Sequence, residues 1–320
     1  MPEDEQTYAA AGVSLATADA VVERLGAAVE STRTAGVRGS FGAFAGLFAL
    51  DDDRLLAATT DGVGTKLILS RRAGRLFDAG VDLAAHCAND LLTVGATPLF
   101  FLDYVASAAL DLAEVAELVA GAASVCREVG CAILGGETAE LPGIYRDDEL
   151  DFAGTMVGLV ARADLVDGSR CRPGDAVLGL PSSGLHANGF TLVRRLVGNN
   201  DFDSDLLLRP TRLYLDDVRR LRSVCDVRAL AHVTGGGIPG NLPRSLPAGL
   251  GARIESESWE RPAVFAWLDA HGVPEDEQRR VFNLGIGLCA VVPAEDAEKS
   301  GFAVIGRLEE GIDGVIWADS

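Results

Sequence analysis

Lysine is almost missing from this chain. Of 28 lysines and arginines only Lys66 and Lys299 are lysines, and they stand against 47 aspartates and glutamates, for a formal net charge of −19. So acidic a surface would repel the phosphates of a nucleic acid, which excludes DNA or RNA as a partner. Long apolar runs are missing too, so no segment is expected to span a membrane. The opening Met1-Pro2-Glu3-Asp4-Glu5 lacks the basic region ahead of an apolar core that a secretory signal needs. The six cysteines (Cys87, Cys126, Cys131, Cys171, Cys225, Cys289) form no Cys-x-x-Cys pair. They suit buried thiols in a reducing cytoplasm, and no zinc site is expected from them. Also absent are a Gly-x-Ser-x-Gly elbow and a Gly-x-x-x-x-Gly-Lys-Ser/Thr loop. The acidic, lysine-poor composition resembles that of proteins from salt-loaded cytosols; such a chain would unfold in dilute buffer and be rescued by salt.

What remains is ample for a core. At 320 residues and 48% hydrophobic, the chain is expected to form two domains. The boundary falls near residue 168, in a stretch carrying Asp167-Gly168, Arg170, Arg172 and Pro173-Gly174. That gives units 1–168 and 169–320.

The most informative stretch is 59–93. An apolar strand over 54–60 breaks into Asp61-Gly62-Val63-Gly64-Thr65-Lys66. Gly62 and Gly64 let backbone pass close to a ligand. A lysine kept where arginine is the habit suggests a compact charge on a phosphate. The periodicity then predicts a helix over 80–93, apolar around most of its circumference. Its one polar stripe holds only the short side chains Asp82, His86, Asn89, Asp90 and Thr93. A small wet face on a buried helix is the bland reading, and a ligand face the sharper one.

Elsewhere, a helix is expected within 8–34. The glycine-rich 36–46, with Arg38 and Ser40, reads either as a mobile loop over phosphates or as a turn leading into a strand. Residues 98–105 read as a strand buried on both faces. Asp111 and Glu114 form a capping-box pattern for a helix to about 129. A short strand, 131–134, stops at Gly135-Gly136, and Glu137-Thr138 after it suggest a ligand edge; a strand over 151–161 closes the half. The second half opens with a strand over 176–180. Ser182-Ser183-Gly184-Leu185-His186-Ala187-Asn188-Gly189 and a helix from 190 follow, a geometry that presents backbone N–H groups to an anion or is simply a capping turn. His232-Val233-Thr234-Gly235-Gly236-Gly237 is a second such loop, where close approach to a phosphate is the favoured reason for three glycines. A helix over 263–271 and strands over 283–292 and 302–308 complete an α/β scaffold, with Trp259, Trp267 and Trp317 as packing residues. These residues alone imply an ATP-dependent ligase or kinase acting on a phosphorylated metabolite.

Segments 8–13, 60–67, 80–104, 135–145, 182–194, 210–214, 232–237 and 282–287 resemble, in order and spacing, the phosphoribosylformylglycinamidine cyclo-ligase (aminoimidazole ribonucleotide synthetase) family. The resemblance implies an α+β N-terminal domain whose sheet pairs across a homodimer, and an α/β C-terminal domain. It implies ATP-dependent closure of formylglycinamidine ribonucleotide to aminoimidazole ribonucleotide in the cytoplasm. It further implies Mg²⁺ on Asp61, Asp90 and Glu137, with Asp82 or Asn89 as further candidates. ATP would lie on Asp61, Gly62, Gly64, Thr65, Lys66, Asn89, Asp90, Glu137 and Thr138. The ribonucleotide would lie on Ser182, Ser183, His186, Asn188, Thr234, Gly235, Gly236 and Gly237. Lys66, His186 and His232 are the catalytic candidates. One departure is Gly26, where many relatives carry a lysine. Among rival members of the superfamily, selenophosphate synthetase would place a reactive cysteine in 36–46, and the hydrogenase maturation member would end in cysteine; neither is present. Formylglycinamidine synthetase would repeat the unit, and thiamine phosphate kinase lacks the long segment match.

Overall fold

The computed structural model describes residues 6–318, so the acidic opening lies outside the described residues. Helix α1 (Leu15–Glu30) is capped by the Ser14 hydroxyl, which accepts from the Thr17 N–H. The stretch 36–46 forms a two-residue edge strand, β1 (Val37–Arg38), and a turn into β2 (Gly46–Ala49). There follow β3 (Arg54–Gly62), α2 (Lys66–Arg72), α3 (Leu76–Thr93), β4 (Thr97–Ser107), α4 (Leu112–Val129), β5 (Ala132–Glu140) and β6 (Leu150–Ala161). The first sheet runs β1-β2-β3-β6-β4-β5 and is antiparallel except for the β4–β5 pair.

Helix α3 starts four residues before the apolar periodicity places it, because Arg75 grips Asp78 in the first turn (2.6 Å). Asp111 caps α4 by accepting from the N–H groups of Ala113 and Glu114, but the box is half made: Glu114 reaches Arg71 instead. The two helices touch backbone to backbone. A Cβ on Gly80 would stand 2.0 Å from the Leu118 carbonyl oxygen, and one on Gly121 would stand 2.0 Å from that of Phe77. Gly121→Ala should therefore push the helices apart and cost about 1–3 kcal/mol, read as a lowered urea midpoint; an unchanged midpoint would refute so close a crossing.

Two expectations change. Strand β5 does not stop at Gly135-Gly136 but runs on to Glu140, paired with β4, because a register shift at Phe101/Leu102 absorbs the irregularity. Strand β4 is not buried on both faces. Helices α3 and α4 cover one face, but Leu99 and Leu102, each 41% exposed, have no cover from the described residues.

The second half holds β7 (Ala176–Pro181), α5 (Phe190–Val197), α6 (Ser204–Leu207), α7 (Leu215–Val224), β8 (Ala229–His232), α8 (Gly237–Asn241), β9 (Leu250–Ile254), α9 (Ala263–Ala270), α10 (Glu275–Val281), β10 (Ile286–Val292), α11 (Ala297–Ser300), β11 (Ala303–Glu310) and β12 (Val315–Trp317). Its sheet runs β12-β9-β11-β7-β10-β8, antiparallel except for β12–β9. Strand β10 begins later than expected because Leu284 (φ +52°) and Gly285 (φ +95°) turn the chain; Asn283 ties that turn to Gly184. One continuous core joins the halves: Leu83, Leu91, Leu178, Leu180, Tyr214 and Leu288 belong to it together. Helix α3 packs against β3 and β6 on one side and against β8 and α7 on the other, which is why its sequence is apolar nearly all round.

Candidate functional site

Strand alternation sends Thr59 and Asp61, about 7 Å apart along the strand, to the face of β3 that meets α3. Asp61 Oδ1 accepts from the Gly62 N–H at 2.7 Å, and Oδ2 lies 3.1 Å from His86 Nδ1. One helical turn beyond His86, Asp90 lies with Oδ1 2.9 Å from His232 Nδ1 and accepts from the Thr59 hydroxyl at 3.0 Å through Oδ2. His232 ends β8; His186 comes from the β7–α5 turn with φ +60°, a left-handed geometry uncommon outside glycine. Gly287 makes room for it, since a Cβ there would stand 2.4 Å from His186 Cε1. The His86 ring meets the His232 ring edge-on at 5.0 Å between centroids and the His186 ring at 6.4 Å. All three rings are buried.

Their titration is split by surroundings. Burial opposes charge on His86, but the Asp61 carboxylate bonded to it, helped by Asp82 and Asp90, lifts its pKa above the usual histidine value. Burial, then His86, His232, Lys66 and Arg212, push His186 well below it. Burial also lowers His232, with Asp90 restoring only part. Asp61 loses solvent yet stays below the ordinary carboxylate range because His86 faces it.

Lys66 is turned inward, away from the loop surface. Its side chain is fully buried, with Nζ 2.6 Å from Asp82 Oδ2, donating to the carbonyls of His186 (2.8 Å) and Arg209 (3.0 Å). Two N–H groups meet carbonyls while the charge faces the Asp82 carboxylate, and burial holds its pKa below the usual lysine value against the pull of Asp82. Asp82 Oδ1 accepts from both the N–H (2.8 Å) and the hydroxyl (2.7 Å) of Thr211. Asn89 donates to Arg212 O (2.9 Å) and accepts from Tyr214 N (3.0 Å). Much of the polar stripe on α3 is thus a clasp on residues 209–214 of the second half. His86 and Asp90 are its members turned to the histidine cluster, while Thr93 bonds back to Asp90 O.

The remaining candidates divide. Gly64 (φ +66°) has open space where a Cβ would be, and the Thr65 hydroxyl meets that of Thr191 in the first turn of α5 at 2.9 Å. Ser182 and Ser183 spend their hydroxyls on the carbonyls of Gly184 (2.8 Å) and Pro210 (2.6 Å). The two glycine loops meet, since a Cβ on Gly235 would stand 3.4 Å from Asn188 Oδ1. The Thr234 hydroxyl braces Asn241 at 3.2 Å. The run of three glycines has a bland cause at two positions. Gly236 (φ +94°) and Gly237 (φ +60°) turn the chain, and a Cβ on Gly237 would strike the carbonyls of Arg279 and Phe282; Gly235 alone is exposed.

Glu137 does not join Asp61 and Asp90. It pairs with Tyr104 on β4, Tyr104 with Ala153 on β6, and Ala153 with Gly62 on β3. Paired residues share a face, so Glu137 points to the side opposite Asp61, three strands or about 14 Å across the sheet. Thr138 faces the helix side but on the same distant edge strand. Two residues were not singled out from the sequence, Thr59 and Thr211; a hydroxyl beside an acidic motif and one inside 210–214 were the only signals.

Two family models match the chain: AIR synthase related protein, N-terminal domain, over residues 42–160, and AIR synthase related protein, C-terminal domain, over residues 172–318. The chain is 48% identical over 309 residues to phosphoribosylformylglycinamidine cyclo-ligase of Synechococcus sp. (strain CC9605), covering 91% of this chain and 90% of that protein. It is 49% identical over 313 residues to the protein of the same name from Sorangium cellulosum (strain So ce56), covering 92% and 90%. Among solved structures, AaThiL complexed with AMPPCP and TMP shares the fold with a TM-score of 0.69 at 18% identity, covering 96% of each chain. T. maritima PurL complexed with ADP gives a TM-score of 0.61 at 15% identity, covering 86% of this chain and 43% of that one.

Proposed function

The chain belongs to the phosphoribosylformylglycinamidine cyclo-ligase family, and from that premise we propose how the seam between its sheets carries the reaction. The protein is an ATP-dependent ligase of purine biosynthesis, converting formylglycinamidine ribonucleotide to aminoimidazole ribonucleotide with release of ADP and phosphate. The formyl amide oxygen leaves poorly until ATP phosphorylates it. The imidate carbon so made is attacked by the amidine-side nitrogen, which closes the five-membered ring and expels phosphate.

The observation that carries the site is the pair of carboxylate–imidazole contacts, Asp61 with His86 and Asp90 with His232, where α3 meets the second sheet. His232 is kept neutral by burial and oriented by Asp90. It is the group that takes the proton from the attacking nitrogen, with His186 beside it shaping a dry wall. The exposed Gly235 and the neighbouring Asn188 line the approach for the ribonucleotide, and Gly64 leaves room near Thr65 for the nucleotide phosphates. Asp61 is one-third exposed, and its oxygens and those of Asp90 are hard donors that fit magnesium. When bound, that ion neutralises charge on the transferred phosphate. Glu137 of the same chain does not fit this set, and Lys66 positions the loops instead of touching phosphate.

We take residues 1–168 and 169–320 as the two units, with the unmatched 161–171 between the family models as the join. Free, buried cysteines support a reducing cytoplasm. A homodimer through the first sheet is supported by the uncovered Phe48, Leu99 and Leu102 and by the exposed α1 residues Val21, Val22 and Leu25; a second copy is also what would bring a Glu137 to this end of the site. Leu102→Glu should convert the protein to monomer in sedimentation, and an unchanged dimer would move the interface elsewhere. The function itself is tested by ADP release. Release strictly dependent on formylglycinamidine ribonucleotide supports it, and tight binding without turnover overturns it.

A further inference from the structure

We propose that His86, His186 and His232 form a site for one divalent transition-metal ion of zinc-like preference, distinct from the magnesium of the nucleotide. The three rings come from α3, the β7–α5 turn and the end of β8, and each offers a ring nitrogen within 4.8 Å of the other two. The leftover nitrogens are His86 Nε2, His186 Nδ1 and His232 Nε2. Each is buried without a hydrogen-bond partner, an arrangement proteins avoid unless something occupies the space between.

The outer nitrogens are already arranged as a metal site needs. His86 Nδ1 is held by Asp61 and His232 Nδ1 by Asp90. A carboxylate on the far nitrogen of a ligating imidazole fixes its tautomer with the lone pair inward and strengthens it as a donor. Zinc–nitrogen bonds of about 2.0–2.1 Å ask donor atoms that lie within 4.8 Å of one another to close to about 3.3 Å apart. Coordination through Nδ1 places the His186 proton on Nε2 and gives up the long 3.4 Å contact from Ser183 N. Three imidazoles select zinc, cobalt, nickel or copper. They do not suit magnesium, which demands oxygen. Three protein ligands leave a fourth position for water or a phosphate oxygen. Such an ion ties α3 of the first half to two loops of the second and occupies the His232 lone pair that the reaction uses, so it stabilises the fold and stops turnover. The cysteines, which a sequence search for zinc would inspect first, take no part.

Cobalt(II) reports the site directly. The full chain, stripped with a chelator and held in excess magnesium, is titrated with Co²⁺ and followed by visible absorption and by melting temperature. The expected result is one equivalent bound, ligand-field bands of a four-coordinate site with three nitrogens and one oxygen and no thiolate charge transfer, and a raised melting temperature. His86→Ala and His232→Ala, each checked for folding by circular dichroism, should weaken binding by about 100-fold or more, since losing a ligand costs at least as much as losing a group that only supports one. X-ray absorption of the unmodified chain with Co²⁺ counts the imidazoles without any variant, and three support the proposal. An oxygen-only shell, a thiolate band, displacement by magnesium, or affinity unchanged in both variants would each overturn it.

Discussion

Lys66→Met should cost the protein about 3–5 kcal/mol, the range for breaking a buried ion pair from one side, seen as a large fall in the urea midpoint. The loss follows from what is left behind. Asp82 is fully buried and would be left without its cation, facing a thioether, while the carbonyls of His186 and Arg209 would lose their donor. Two further variants sharpen the result. Lys66→Arg should also destabilise, because a planar guanidinium cannot send three donors from one atom into a pocket closed around an ammonium. Asp82→Leu added to Lys66→Met should cost less than the sum of the two single changes, since no orphaned charge remains. A near-normal midpoint with lost activity would restore the phosphate role suggested by the sequence. Together the variants separate a packing role for this lysine from a phosphate role.

The second large effect concerns turnover. His232→Ala should lower kcat/KM by 10²- to 10⁴-fold, about what a positioned general base contributes, with the circular dichroism spectrum kept. Asp90→Asn should lower it less and shift the pH profile, because the amide still orients the ring but no longer favours its charged form. Substrate-dependent ADP release measures both. Normal rates in His232→Ala would remove it from the reaction.

Local features were legible in the sequence, and long-range pairings were not. The strand into Asp61, the helix ending at Thr93 and the turn before Phe190 follow from periodicity and glycine placement, which act over a few residues. The resemblance of ordered segments named the fold and the chemistry correctly. The buried setting of Lys66 was not legible because its acceptors lie 16, 120 and 143 positions away, and no spacing announces them. The resemblance grouped Glu137 with Asp61, and no local pattern says on which side of the sheet either lies. Which face each occupies depends on the register of four strands, including the shift at Phe101/Leu102. The glycine triplet was read as one phosphate cradle from its three glycines alone; at Gly237 the carbonyls of Arg279 and Phe282, which exclude a side chain, arrive from a distant helix end that the sequence does not announce.

A helix held by both sheets has a calorimetric corollary. With α3 packed against β3 and β6 on one flank and β8 and α7 on the other, neither half can melt without stripping a wall from its neighbour. A thermogram should show a single endotherm, and a fragment cut at the join should precipitate, because the flank of α3 that meets β8 and α7 is then laid open.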